Sequence, residues 1–464
     1  MRASKGALVA ATALGLSACS MAPDYHRPEI VPAPAYKESG AWQTAGSNVP
    51  AAGKWWEIFG DPTLNGLEQR IEAGSPNLAA AVARYDQAVA LVRRSRAELL
   101  PEIGIGTDIE RDRVSAARPA SQGRAATYTN AQIGASLSYE LDLFGRIRNA
   151  VKANQANAQA SAADVAGVRL GLQAQLASLY FDMRGLDARI VLLRETVAAF
   201  QRAYDLTDTR HSGGIASGID VSRAQSQLAS AKAELDAVAA DRARDEHAIA
   251  VLIGESPSAF SLPVVDTLIA PPVIPAALPS TLLERRPDIA AAERRVAAAN
   301  AQIGVARAAL FPTVTLGGAG GFEAASGGLL RSDNSFWALG PLSTALSIFD
   351  GGARRANVRI SRAQYDEAAA SYRETVLTAF REVEDDLAAG RHLIDQERNQ
   401  RAAAAAAERT RDLAMTRYRD GAADFLEVTI AQTAALDAQR ALLAVRARQL
   451  GVATDTVRAL GGLY

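Results

Sequence analysis

The chain has few of the residues that build metal sites and disulfides. Its 464 residues include one cysteine, which excludes an internal disulfide and a zinc site built on several cysteines. The four histidines lie far apart in sequence, which argues against a histidine metal cluster. We find no nucleophile elbow, phosphate loop or His-Glu-x-x-His motif, so the sequence predicts neither catalysis nor a cofactor.

Neither sign of charge dominates, and long apolar runs are missing. The chain carries 50 Lys+Arg against 51 Asp+Glu, whereas a nucleic-acid partner calls for a basic excess. After the N-terminal region no stretch reaches the roughly 18 consecutive apolar residues of a transmembrane helix. Alanine is abundant and tryptophan is scarce, which favours long helices over an aromatic core.

The N-terminus has the pattern of a secretory signal that ends at the single cysteine. Arg2 and Lys5 precede an apolar run, Ala7–Leu16, which is followed by small residues and Cys19. This ending resembles the bacterial lipoprotein box, in which the cysteine becomes the first mature residue and carries lipid. Ser20 at the next position then indicates the outer membrane. The alternative is an ordinary signal peptide with an accidental cysteine.

The rest of the chain contains an internal duplication. Three matched pairs keep their order in the two halves: Pro101 with Pro312, Phe144 with Phe349, and Gly214 with Gly421. Each half is predicted to hold a helix, a strand pair and two further helices. The predicted segments are a signal peptide at 1–18, a lipid-anchored extended segment at 19–61, a first repeat at 62–256, a Pro-rich link at 257–280 and a second repeat at 281–464.

The spacing of proline and of apolar residues predicts very long helices. No proline lies between Pro119 and Pro257, and a heptad pattern inside this tract predicts a helix from about Gly145 to about Arg210. The heptad residues of this helix are Leu172, Leu176, Leu179, Met183, Leu186, Ile190, Leu193, Val197, Phe200 and Tyr204. A weaker pattern follows in the second half: Leu377, Phe380, Val383, Leu387 and Ile394. A plain coiled-coil rod would show the same heptads.

Two segments change to a period of two residues and predict strand pairs. They span about 101–142 and about 311–349, and the first alternates apolar residues with glycine, serine and acids. A membrane barrel strand requires this alternation, and so does a half-buried hairpin packed on helices. Four strands cannot close a barrel, whereas two copies would give eight and three would give twelve, wide enough for a channel. A trimer is therefore the simplest reading.

Two other clusters have simpler interpretations. The glycines of 317–321 lack the Gly-Lys-Ser/Thr of a phosphate loop, and they suggest a tight bend or a close backbone approach. The carboxylates Glu384, Asp385 and Asp386 lie in a helical stretch of mixed charge, where we expect them to be solvated.

Six motifs in order make the chain similar to a known family. They are PDYHRP (23–28), WWEIFGDPTLNGL (55–67), YELDLFGRIR (139–148), LLERRPDIAAAE (282–293), AFREVEDDL (379–387) and RYRDGAADFLEV (417–428). Together they resemble the TolC-like outer-membrane efflux ducts, in the lipoprotein branch that serves resistance-nodulation-division pumps.

The resemblance implies a mainly α-helical protein with a membrane β-barrel. Four strands per protomer would complete a 12-stranded barrel in a homotrimer, and a coiled-coil α-helical barrel would cross the periplasm. The implied function is a passive exit duct that receives substrates from an inner-membrane pump through a periplasmic adaptor. The alternative is a structural coiled-coil lipoprotein of the outer membrane without channel activity.

The resemblance also assigns roles near the two turns that join the long helices. Gly214 and Gly421 correspond to the tips that dock the adaptor, although each glycine would also serve simply to cap a helix. Tyr418 stands where relatives bond a tyrosine hydroxyl to the acid at position 220.

The remaining gate residues lie just past the two turns, one acid after each. Leu426 occupies the position of an apolar constriction, and Asp220 and Glu427 would line a narrow, cation-favouring mouth. Without the resemblance, both acids are better explained as solvated residues at helix starts, where the helix dipole stabilises them.

Overall fold

The computed structural model describes residues 20–38, 53–118, 123–265, 268–272, 274, 285–325 and 328–462. The signal peptide and Cys19 lie outside these ranges. The described residues form two compact units. The first is drawn from Met1–Glu29, Arg84–Ala162 and Ala291–Arg373, and the second from Ile30–Ala83, Ala163–Ala290 and Glu374–Tyr464.

Helices dominate both units, and their lengths repeat. The helices are α1 (Pro62–Gly74), α2 (Pro76–Ala97), α3 (Arg146–Ser212), α4 (Gly218–Leu252), α5 (Pro287–Ala308), α6 (Ala353–Arg419) and α7 (Phe425–Ala459). Both α2 and α5 have 22 residues, α3 and α6 have 67, and α4 and α7 have 35. An internal duplication produces such equal lengths. The helix predicted from about Gly145 to Arg210 is confirmed by α3. Among the described residues, no helix is long and apolar enough to cross a membrane.

The first heptad pattern is confirmed, and the second is partly wrong. In α3 the side chains of Leu176, Met183 and Leu193 are fully buried. In α6, by contrast, Leu377 and Ile394 are more than half exposed in the protomer. Val383 and Leu387 of the predicted row are buried, but the other buried positions belong to a neighbouring row: Tyr372, Val376 and Ala379. Adjacent residues lie about 100° apart around a helix, so an alanine-containing row can face the core while the leucine beside it faces out.

The two predicted strand pairs are confirmed and form one antiparallel sheet in the first unit. Its strands are β1 (Glu102–Val114), β2 (Ala126–Leu141), β3 (Thr313–Ala324) and β4 (Ser335–Ala345), in the order β1-β2-β3-β4. The glycine cluster of 317–321 lies in β3, where the register shifts between Leu316 and Gly318. The strands β1 and β4 are the two edges of this sheet.

The register gathers apolar side chains on one face of the sheet. Residues paired directly across an antiparallel ladder share a face. Ile105 pairs with Ala135, which pairs with Gly320, which pairs with Trp337. The larger members of this apolar face are Ile103, Ile105, Ile109, Ile133, Leu137, Leu316, Phe322, Trp337, Leu339 and Leu342.

The opposite face holds small and acidic residues, and the apolar face is uncovered. Glu102, Asp108 and Glu110 lie on the polar side of β1, across from a serine, a glutamine and an asparagine of β2. Ile105 and Trp337 are each 83% exposed. The alternative of a hairpin half-buried on helices is therefore wrong for the described residues, because its apolar face would be covered.

An extended N-terminal segment is fastened to the helices of the first unit. Asn300 donates to the Pro23 carbonyl at 2.8 Å, and Arg307 donates to the Met21 carbonyl at 3.3 Å. The Ser20 hydroxyl donates to Asn149 at 3.0 Å. Since Asn149 is in the first turn of α3 and Arg307 is in the last turn of α5, residue 20 lies where the helices meet the sheet.

A buried ion network anchors the start of the Pro-rich link in the second unit. The carboxylate of Asp187 is fully buried and accepts hydrogen bonds from Arg184 and Arg242 at 2.7 Å. The same guanidinium groups donate to the carbonyls of Pro263 and Leu262 at 2.8 and 2.6 Å. The network ties the link to α3 and α4, because it satisfies backbone groups and side chains together.

The expectation that the three carboxylates of α6 are solvated is wrong for two of them. Glu384 accepts the backbone amides of Lys37 and Glu38 at 2.8 and 3.0 Å. Burial, reinforced by the nearby Asp455 carboxylate, raises the pKa of Asp386 to about 7. Tertiary packing on α6 is the cause, and the mixed charges of the local sequence do not reveal it.

Candidate functional site

The two turns that join the long helices, α3 to α4 and α6 to α7, have the same backbone design. Gly214 and Gly421 have φ of 74° and 77°, which glycine adopts without strain. The Gly214 amide donates to the His211 carbonyl and the Ile215 amide to the Arg210 carbonyl, both at 2.8 Å. Gly421 and Ala422 repeat this pair of bonds on the carbonyls of Tyr418 and Arg417. Both turns are therefore Schellman caps.

Each glycine also leaves open space at its surface. A β-carbon at either position would meet nothing within 4 Å in the protomer. The helix-capping role of Gly214 and Gly421 is thus visible in the structure. Their accessibility is compatible with close approach by a partner, and the docking role stays a prediction.

The two predicted gate acids occupy equivalent positions at the starts of α4 and α7. Asp220 forms a capping box with Ser217, in which the side chain of each residue accepts a hydrogen bond from the backbone amide of the other at 3.3 Å. The amide of Glu427 donates to the capping Asp424 at 2.9 Å. Asp220 lies 3.6 Å from Arg223, and Glu427 accepts from Arg417 at 2.9 Å. Both acids therefore have charge partners in their own chain.

Tyr418 is buried between the helices of the second unit. It is 5% exposed, and its ring meets the Phe425 ring edge-on at 5.4 Å. Its hydroxyl lies 3.3 Å from the Thr207 hydroxyl, which itself donates to the Ala203 carbonyl. Tyr418 is therefore the donor in the pair, because the Thr207 proton is already used. Among the residues described here, no hydrogen bond joins Tyr418 to Asp220.

Arg210, which no sequence pattern singled out, joins the two turns. Its guanidinium donates to the carbonyls of Tyr418 and Arg419 at 2.8 and 2.7 Å, and lies 4.6 Å from the centre of the Tyr418 ring. These carbonyls end α6, so a cation of α3 caps a different helix. The repeat held a clue, since Arg210 and Arg417 occupy equivalent positions in its two halves.

Apolar side chains stand beside the acids at the start of each short helix. Leu426 is 42% exposed, and Ile219, its equivalent in the first repeat, is 64% exposed. Ile430, one turn further along α7, is also exposed. The start of each helix thus presents an exposed apolar side chain directly before a carboxylate. No group of His, Cys, Asp and Glu in the described part of the chain is arranged to hold a metal ion.

The chain matches a family model and curated proteins along most of its length. The model of the outer membrane efflux protein family matches residues 67–255 and again residues 278–462. A probable efflux pump outer membrane protein, TtgC of Pseudomonas putida, is 34% identical over 98% of this chain and 94% of its own length. Nodulation protein T of Rhizobium leguminosarum bv. viciae is 34% identical over 96% of this chain and 90% of its own.

Solved structures of channels share the fold. The outer-membrane channel OprN superimposes with a TM-score of 0.89 at 30% identity, covering 96% of this chain and 99% of that one. The MtrE outer membrane channel of Neisseria gonorrhoeae, solved in its open state, gives 0.81 at 28% identity and covers 96% and 98%. These similarities agree with the double match of the family model, the paired helices and the apolar face of the sheet. The chain therefore belongs to the outer membrane efflux protein family, and it is an efflux channel of the Gram-negative outer membrane that extends into the periplasm.

Proposed function

We propose that three copies of this chain form the passive exit duct of a tripartite system, with a resistance-nodulation-division pump and a periplasmic adaptor as its partners. The four-stranded sheet carries this proposal. Its apolar face is exposed, and β1 and β4 are edges that lipid does not tolerate unpaired. Three copies would pair these edges into twelve strands, with the apolar face toward lipid and the acidic face toward the pore.

We further propose that Cys19 carries the lipid. Cys19 itself lies outside the described residues, but the next residue is placed. The hydroxyl of Ser20 bonds to the first turn of α3, where helix gives way to strand. A lipid on the preceding residue would therefore start close to the membrane surface, where acyl chains can insert.

The periplasmic gate is proposed at the tips of the helices, around Asp220, Tyr418, Leu426 and Glu427. The support is that an exposed apolar side chain lies directly before a partly exposed carboxylate at the starts of both α4 and α7. The bond between Tyr418 and Thr207 holds α6 to α3 inside one chain. It would keep the tip residues in position, while Leu426 would narrow the mouth.

Recordings from the purified protein in planar bilayers test the duct and its gate. The Tyr418→Phe, Leu426→Ala double variant should conduct more than the wild type at every voltage. Asp220→Asn with Glu427→Gln keeps the size and shape of both side chains but removes their charges, and should lower the preference for cations over anions. Wild-type conductance and selectivity in both double variants would refute the assignment of these residues to the gate. A wild-type protein without any conductance would favour the structural lipoprotein.

Adaptor docking is proposed at Gly214 and Gly421, the exposed turns at the helix tips. A tryptophan at position 421 would take the left-handed backbone only under strain and would fill the space that the partner needs. Gly421→Trp should therefore reduce crosslinking to the adaptor while trimers still form. The Gly171→Trp variant is a control, since this helical glycine also has no neighbour within 4 Å of its β-position. Normal crosslinking of Gly421→Trp would refute docking at this turn.

A further inference from the structure

The end of β1 changes the character of the apolar face. Ile103, Ile105 and Ile109 occupy alternate positions of the strand, and Arg111 and Arg113 continue the same row. Their partners on β2 are Thr129 and Thr127. Two guanidinium groups therefore follow directly after an exposed apolar row, on the same face of the sheet.

No carboxylate shares that face at this end of the hairpin. The acids of this stretch, Glu110 and Asp112, alternate with the arginines and so point to the opposite face. Neither Arg111 nor Arg113 has an ion-pair partner among the residues that the structure describes. Their charge is available to a partner outside the protomer.

The position of the arginines along the strand matches the thickness of a membrane. The helices of the first unit join the sheet at Glu102, and Arg111 is nine residues further on. At about 3.3 Å per residue and a tilt of about 40°, this is roughly 23 Å along a barrel axis, close to the apolar band of about 25 Å. Because the helices extend into the periplasm, the arginines reach the outer surface of the membrane.

We propose that Arg111 and Arg113 bind the phosphate groups of phosphorylated lipids in the outer leaflet. Guanidinium groups bind phosphate oxygens through paired, charge-assisted hydrogen bonds. The row beneath them, ending in Ile109, offers apolar surface to the acyl chains of the same lipid. This joint recognition of phosphate and chain favours a lipid over free phosphate. In a trimer it produces a belt of six guanidinium groups around the channel.

Native mass spectrometry of the detergent-solubilised channel with bisphosphorylated lipid A tests this proposal. Arg111→Gln with Arg113→Gln should weaken binding roughly 30-fold, and either single change about fivefold, since a basic residue at an anionic surface contributes about 1 kcal/mol. Arg111→Lys with Arg113→Lys should keep most of the affinity. If the double glutamine variant fails to fold, Arg113→Gln alone, at the end of the strand, still tests the site.

The matched control neutralises the other face of the same strand. Glu110→Gln with Asp112→Asn should bind the lipid at least as well as the wild type. All variants should conduct in bilayers, which separates loss of lipid binding from loss of the channel. Wild-type affinity in the double glutamine variant would overturn the proposal, and so would complete displacement of the lipid by millimolar inorganic phosphate.

Discussion

Among single residues, Asp187 and Glu68 show two different fates of a buried carboxyl group in the second unit. Asp187 accepts from two guanidinium groups and from the Val265 amide, so its charge is compensated. Glu68 in α1 is fully buried, and neither of its oxygens has a hydrogen-bond partner among the described residues. Burial raises the pKa of Glu68 to about 9, so it is protonated at neutral pH.

The pKa of Glu68 makes stability depend on pH. The unfolded chain releases this proton near its ordinary pKa of 4.5, whereas the folded chain keeps it up to about 9. The unfolded state therefore binds fewer protons between these values, and the free energy of unfolding falls as pH rises. Between pH 5 and 8 the loss attributable to Glu68 is roughly 3–4 kcal/mol.

Glu68→Gln should remove this dependence, because the amide is neutral at every pH. We expect the variant to melt above the wild type at pH 8 and to approach it at pH 5, as followed by circular dichroism in detergent. The control is Glu72→Gln, one turn along α1, where an exposed carboxylate lies 2.7 Å from Arg169. Parallel pH profiles of the wild type and Glu68→Gln would show that Glu68 is ionised in the folded channel.

At the scale of elements, the two tips combine a repeated backbone with different side-chain contacts. Arg210 and Arg417 are equivalent in the repeat, yet Arg210 caps α6 while Arg417 pairs with Glu427. The two arginines thus make different contacts from equivalent positions of the same backbone turn. The contact of Arg210 joins the ends of α3 and α6, so the two tips are expected to move as one body.

Arg210→Ala should loosen the tips and raise the conductance of the closed channel in planar bilayers. Each hydrogen bond from a charged donor contributes about 1.5–3 kcal/mol, and two would be lost. Arg210→Lys should be intermediate, since an ammonium group lacks the planar fork that reaches both carbonyls. Arg202→Ala, an exposed change on the same helix, serves as the control. Unchanged conductance in Arg210→Ala would show that this contact does not restrain the gate.

For the whole molecule, membrane attachment has two independent sources, the sheet and the proposed lipid. The sheet offers a continuous exposed apolar face, and the segment from Ser20 onward is held by Asn149, Asn300 and Arg307. Because these contacts hold the N-terminal segment, a lipid on Cys19 would lie near the junction of the sheet and the helices. Two or more acyl chains on Cys19 would add stable anchoring, since one chain gives only marginal binding.

Cys19→Ser should abolish incorporation of radiolabelled palmitate while the protein still fractionates with the outer membrane. The physical reason is that the sheet keeps its apolar face whether or not the chain is acylated. Ser20→Ala leaves the cysteine in place and should remain labelled, which makes it the matched control. Label retained by Cys19→Ser would contradict the lipoprotein assignment.

The sequence alone determined the periodic features of this protein. Proline-free tracts and heptads determined α3, because a long helix depends on local hydrogen bonds and a continuous apolar row. Alternation predicted β1 and β2, because side chains of a strand point to opposite faces, and a weaker alternation in the second repeat predicted β3 and β4. The two turn glycines followed from the repeat, and both have the backbone conformation that glycine favours.

Tertiary structure alone decided which polar groups meet. Arg210 donates to carbonyls more than 200 residues away, and the Tyr418 hydroxyl meets the Thr207 hydroxyl of its own chain. The burial that shifts the pKa of Asp386 likewise arises from packing in the second unit and from Asp455 on α7. Such contacts depend on the rotation and register of packed helices. A pattern with a period of three or four residues specifies the buried face, but it leaves the partner across that face undetermined.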